Sequence, residues 1–129
     1  MALGYSAALR NAQLDQISAQ AGSGAKIRIY DGARPATGGT VTNLLAEFTM
    51  SGAFAPAASG GVLTPNTPPG TTGTANGTAT WYRIVTSANA FVMDGSAGTT
   101  GTDMILSTAT ISTGLPLTVT SHTITAGNP

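Results

Sequence analysis

Gly77-Thr-Ala-Thr-Trp-Tyr-Arg-Ile-Val85 is the stretch that decides the fold. It is a run of β-branched and aromatic side chains opened by glycine, the residue types that suit a pleated, half-buried surface. Ser87-Ala-Asn89 follows as a turn, then Ala90-Phe-Val-Met93 and the pair Asp94-Gly95, so the region reads as a β-hairpin closed by a further turn. Neighbouring side chains in a strand point to opposite faces, which places Trp81 and Tyr82 on different sides of the sheet. Either one ring packs in the core while the other reaches the surface or a subunit contact, or both are packing residues.

Toward the N-terminus, Lys26-Ile-Arg-Ile-Tyr30 alternates polar and apolar residues before the turn pair Asp31-Gly32, and is a strand. Arg34-Pro-Ala-Thr-Gly-Gly39 is a loop by composition, and Asn43 to Met50 reads as a second strand, although Leu44-Leu-Ala46 alone also suits a helix. Ser51 to Pro65 fits short extended pieces that cover a sheet edge or face. Asn66 to Asn76 carries Pro68-Pro69-Gly70, which excludes helix and central strand, and is expected to be an exposed loop. Beyond the hairpin, Gly95-Ser-Ala-Gly98 reads as turn, and Met104 to Leu106, Thr110 to Ser112 and Leu115 to Thr125 supply the last strands. Pro116 belongs at a strand start or an edge, and Gly127-Asn-Pro129 ends the series.

The one helical stretch lies at the start. Ser6 to Ala21 lacks Gly and Pro, spaces Ala7, Leu14, Ile17 and Ala21 at helical steps, and is flanked by Ser6 as N-cap and Gly22-Ser-Gly24 as terminator. The expected architecture is therefore mainly β, an antiparallel β-sandwich or jelly-roll-like domain over residues 25–129, preceded by an arm and one α-helix in residues 1–24.

Composition narrows the function classes. The chain of 129 residues is long enough to bury a single core, but only 8% of it is charged, with five basic and five acidic residues giving a formal net charge of +0. No basic stripe exists to neutralise phosphates or anionic lipid, so nucleic acid and membrane are not expected partners. The missing repulsion suits a subunit of a permanent assembly. Cysteine is absent, which removes disulfides and thiolate metal sites. The N-terminal run is interrupted at Arg10 before signal-peptide length, and no run of about 18 apolar residues occurs, so a soluble, unsecreted protein is expected.

Catalysis requires convergent titratable groups, and here they are scattered. Ser121 and His122 alternate along a strand, so they face opposite ways and cannot act as nucleophile and base; a hydrogen-bonded structural histidine is the expectation. Asp31, Asp94 and Asp103 are imaginable as a calcium site, but two of them precede glycine in turn pairs, where Asp bonds its own backbone. The glycine-rich stretches lack the lysine of a phosphate loop. This reading names no catalytic, cofactor or metal residue, and no enzyme.

The order of segments resembles a family of small virion proteins of tailed bacteriophages. The resemblance is carried by Leu9 to Ala12, Lys26 to Gly32, Arg34 to Gly39, Leu44 to Glu47, Ala79 to Ile84, Asp94-Gly95, Gly101 to Asp103 and Thr123 to Asn128, and runs over most of the chain. It implies a capsid decoration or cement protein, a homotrimer of β-sandwich subunits. Such a protein is made in the host bacterial cytoplasm, sits on the outer capsid surface of the virion, binds the major capsid protein, and needs no cofactor. The expected contact residues are Tyr5, Arg10, Arg34 and Tyr82, with the N-terminal segment as an anchoring arm. A tail, baseplate or head-tail joining component is the alternative in the same particle. A carbohydrate-binding or host-adhesion module, using an exposed Tyr82 or Tyr30, is the alternative of another class.

Overall fold

A computed structural model describes residues 4–125, and its architecture is mainly β, with 36% strand and 12% helix. The closing Gly127-Asn-Pro129 segment, with the end of the phage-like pattern, lies outside the described residues. The helix α1 spans Ala7–Ala21; Ser6 caps it by accepting from the Leu9 amide at 3.1 Å, and Gly22 ends it at a φ of 70° while its amide bonds Ser18. Both helix ends are where the sequence puts them. Strands β1 Lys26–Tyr30 and β2 Leu44–Thr49 follow, then the short β3 Val62–Leu63, β4 Thr71–Thr72 and β5 Gly77–Thr78. The hairpin strands are β6 Trp81–Val85 and β7 Phe91–Gly98. The chain continues through β8 Met104–Leu106, β9 Thr110–Ile111, β10 Pro116–Leu117, β11 Val119–His122 and β12 Ile124–Thr125.

Six strands form one curled sheet in the order β11-β8-β7-β6-β1-β2, antiparallel except where β7 meets β8. That parallel pair matches only Ala97 with Met104 and Gly98 with Ile105, which is why the short Thr99–Asp103 connection suffices where longer parallel ladders need a crossover. The inner face carries Phe48, Ile27 and Ile84 in one row and Ala46, Ile29 and Tyr82 in the next. Leu14 and Ala21 of α1 pack into the same core, joined by Leu63, Ile111 and Leu117 from the two-stranded ribbons β3–β12, β5–β9 and β4–β10.

The deciding stretch is not one strand. Ala79 bonds Ala109 and Thr80 bonds Tyr30, so the chain leaves the β5–β9 ribbon and enters the main sheet between β5 and β6. Asp94-Gly95 and Gly95-Ser-Ala-Gly98 are not turns but the middle and end of β7. The reason is cross-strand: Asp94 faces Arg83 and Gly95 faces Tyr82, and a Cβ on Gly95 would stand 2.5 Å from the Tyr82 ring. Asn66 to Asn76 is mostly exposed, as expected, but it is tied down at several points. Thr71 and Thr72 pair with β10, Gly73 is buried and bonds Leu115, and Thr74 caps the open side of β2 through the Leu45 carbonyl. Among the described residues no helix is long and apolar enough to cross a membrane.

Candidate functional site

On the outer face of the sheet, alternation in four adjacent strands lines up Glu47, Arg28, Arg83 and Asp94. Two like charges directly opposite each other repel, so the central arginines are stable there only because each has its own carboxylate. Arg28 donates Nε to Glu47 at 2.7 Å, and Arg83 donates Nε and Nη2 to the two Asp94 oxygens at 2.7 and 3.0 Å. Arg28 Nη2 and Lys26 Nζ also converge on the Asn89 side-chain oxygen Oδ1, at 2.7 and 3.2 Å, and Asn89 holds a left-handed φ of 69° in the β6–β7 turn. The Arg83–Asp94 pair is the buried one, with side chains 10% and 3% exposed. Its guanidinium lies 5.3 Å from the Trp81 ring centre and 5.0 Å from that of Phe91, and Trp81 stacks on Tyr30 at 4.4 Å.

The β1–β2 loop is strapped across this array. Arg83 Nη2 donates to the Gly39 carbonyl at 2.9 Å, and the Gly38 amide donates to Asp94 at 3.2 Å. Trp81 Nε1 reaches both Thr42 Oγ1 and the Asp31 carbonyl, at 3.0 and 3.1 Å, and the Asn43 amide closes the loop base on the Asp31 carboxylate. Gly38 sits over the Phe91 ring with a φ of 75°, a conformation glycine adopts without strain. Hydrogen bonds to charged groups are the stronger kind, so the strap is held in one shape before any partner arrives.

Exposed apolar side chains border the strap. Of the large hydrophobic side chains exposed among the described residues, Val41 at 41%, Leu44 at 37% and Phe91 at 43% border it, and the remaining one, Leu9 at 45%, is on α1. Arg34 is exposed on the strap itself. Tyr5, just before α1, and Arg10 are half-buried; the Arg10 guanidinium lies against Gly61 in the Ser59–Val62 turn, and Asn11 accepts from the Gly61 amide at 2.9 Å. Tyr82 is corrected: it is fully buried inside the subunit and offers no contact surface, because β6 is central and its inner face is the core. Trp81 and Tyr30 are buried as well, which removes the aromatic platform that a sugar groove on Tyr30 or Tyr82 required. The sequence reading missed Val41, Leu44 and Phe91. The only signal for Phe91 was its place beside a turn, and no pattern told which strand face a loop would leave open.

The other candidate polar groups are bonded within the subunit. The Tyr82 hydroxyl and His122 Nε2 are 2.7 Å apart in the core, with the histidine ring edge-on to Tyr82 and Phe54, so the histidine is hydrogen-bonded as expected. Asp31, Asp94 and Asp103 serve separate partners, Asn43, Arg83 and Ser96. A shallow groove of about 320 Å³ between α1 and residues 55–57 contains Asp15 and Ser18, but they already bond the Ala58 amide and the Ala55 carbonyl.

Burial pushes the His122 imidazolium down to about 4, partly offset by the Asp103 charge. The folded state then refuses a proton that the unfolded chain takes up at its ordinary value of 6.5. This contribution to stability is complete above pH 6.5 and is lost as the pH falls toward 4, about 3 kcal/mol in all. Urea midpoints measured across that window are expected to fall steadily, and a His122→Gln variant, weaker at neutral pH, is expected to lose this slope.

No protein-family model matches the chain, and neither a curated protein nor a solved structure is significantly similar to it.

Proposed function

We propose that the chain is a structural virion protein of a tailed bacteriophage that decorates the outside of the icosahedral head, binding between major capsid protein subunits and stabilising the shell. The observation that carries this reading is a two-sided subunit. A rigid strap bordered by Val41, Leu44 and Phe91 stands on the outer sheet face, while Leu9 is exposed on α1, which packs against the inner face. Apolar side chains exposed at two separate places, a single leucine at one of them, would give one subunit a contact for a copy of itself and another for a larger body, which is what bridging capsomers requires. The segment order, which resembles that of small phage virion proteins, supports the same reading.

In this role no chemistry is needed. Each contact is weak, but oligomerisation makes the later ones effectively intramolecular, and the summed area resists internal pressure. Binding restricted to the expanded lattice stabilises that state by mass action. The α1 end, with Tyr5, Leu9 and Arg10, is the shell anchor in this scheme.

The test is co-sedimentation of purified protein with heads lacking it, before and after expansion, together with its mass in solution. Binding to expanded heads alone by a trimer is the expected result, and Leu9→Asp is expected to weaken it at least about tenfold with the fold intact. Ring-shaped oligomers that ignore heads would transfer the chain to the head-tail joint or tail.

A further inference from the structure

We infer that the strap face is where one copy of this chain packs against another. This rests on the reading of the chain as an assembling subunit, and adds which face does the assembling. Three observations lead to a second copy as the occupant.

First, the polar row beneath the strap is neutral within itself. Glu47 and Asp94 flank Arg28 and Arg83, each arginine bonded to its neighbour, so these four charges cancel and the face keeps only the isolated positive charges of Lys26 and Arg34, too small a field to select a strongly acidic partner. Second, the exposed side chains of the face are self-complementary. Arg34 is exposed on the strap and no side-chain bond to it is found among the described residues, while Glu47 keeps its side chain 34% exposed and uses only one carboxylate oxygen on Arg28. A second copy thus supplies both the apolar surface for Val41, Leu44 and Phe91 and the carboxylate for Arg34. Third, the strap is immobilised from below by Arg83, Asp94 and Trp81, so little ordering entropy remains to oppose association.

The residue types agree. A buried apolar centre with an arginine at its rim is the usual anatomy of a contact between subunits. Surfaces that select nucleic acid or acidic lipid instead carry unbalanced positive charge.

Analytical ultracentrifugation of the full chain at micromolar concentration tests this, with circular dichroism to confirm that each variant is folded. Val41→Asp and Arg34→Glu both change exposed residues, and each is expected to weaken self-association at least about tenfold. Leu9→Asp on α1 is expected to leave it unchanged. A monomeric wild-type chain, an oligomer that both strap variants leave intact, or an oligomer dissolved by Leu9→Asp alone would each overturn the inference. Head binding is read separately in the co-sedimentation assay, so a chain that self-associates through the strap but ignores heads sinks the decoration role and leaves this inference standing.

Discussion

Gly95→Ala is expected to lower stability by about 4 kcal/mol, enough to consume a large part of what a domain of this size has. The added methyl would stand 2.5 Å from both the ring carbon Cζ and the hydroxyl of Tyr82, which no real contact tolerates. A flexible side chain end could move aside, but Tyr82 is fully buried and its hydroxyl is held by His122 at 2.7 Å. Overpacking a close-packed core costs about 1–3 kcal/mol, and displacing Tyr82 adds about 1–3 kcal/mol for a buried hydrogen bond left unmade. Chemical denaturation of the variant checks the figure. A double variant Tyr82→Ala/Gly95→Ala should be less unstable than the two single losses summed, since the clash is gone; strict additivity would show that Gly95 matters for another reason.

Asp94→Ala is expected to cost about as much, about 4 kcal/mol, by a different route. Its carboxylate neutralises Arg83 and receives the Gly38 amide. Without it a guanidinium remains enclosed between Trp81 and Phe91 with the Gly39 carbonyl as its remaining hydrogen-bond acceptor among the described residues, and an uncompensated buried charge is worth about 3–5 kcal/mol. The strap also loses its Gly38 fastening, so amide exchange at Gly38 and Gly39 should accelerate, and fluorescence from Trp81, the chain's one tryptophan, should shift red as Thr42 lets go of its indole nitrogen. Replacing both partners with apolar residues, Arg83→Met with Asp94→Leu, should recover much of the stability while leaving the strap loose. Recovery of stability together with slow exchange at Gly38 would show that the ion pair does not hold the strap.

Local signals carried much of this fold. Ser6 and Gly22 bracket α1 because capping is short-range chemistry, and alternation in Lys26 to Tyr30 gives β1 residue for residue. His122 was legible as structural for the same reason: alternation separates it from Ser121. Failures came wherever a residue answers to a distant partner. Asp94-Gly95 has turn chemistry by composition, yet both positions are set by β6, Asp94 by the charge of Arg83 and Gly95 by the volume of Tyr82. Thr71 to Thr74 lacks any large apolar side chain, and its order comes from backbone bonds to β10, Leu115 and Leu45 that no local pattern records. Tyr82 was offered to a partner because a strand pattern shows that two faces exist but not that both are covered. The strap was visible only as a loop between Tyr30 and Leu44; that it lies down over Arg83, and so leaves Val41 and Phe91 at its border, depends on bonds to residues about forty to fifty positions later.

The strand order has a consequence for how the protein is made. β1 lies between β2 and β6, and its registration against β6 joins Lys26 with Val85 and Tyr30 with Trp81. On a ribosome the β1–β2 hairpin emerges first and waits with one backbone edge open until β6 has been synthesised. Pairings so distant in sequence are slow to form, and an open edge in an almost uncharged chain has little to deter a neighbouring copy from occupying it. Yield of folded protein should therefore depend on the interval between translating Tyr30 and Val85, so slowing elongation within that interval should favour aggregates and slowing it after Val85 should not.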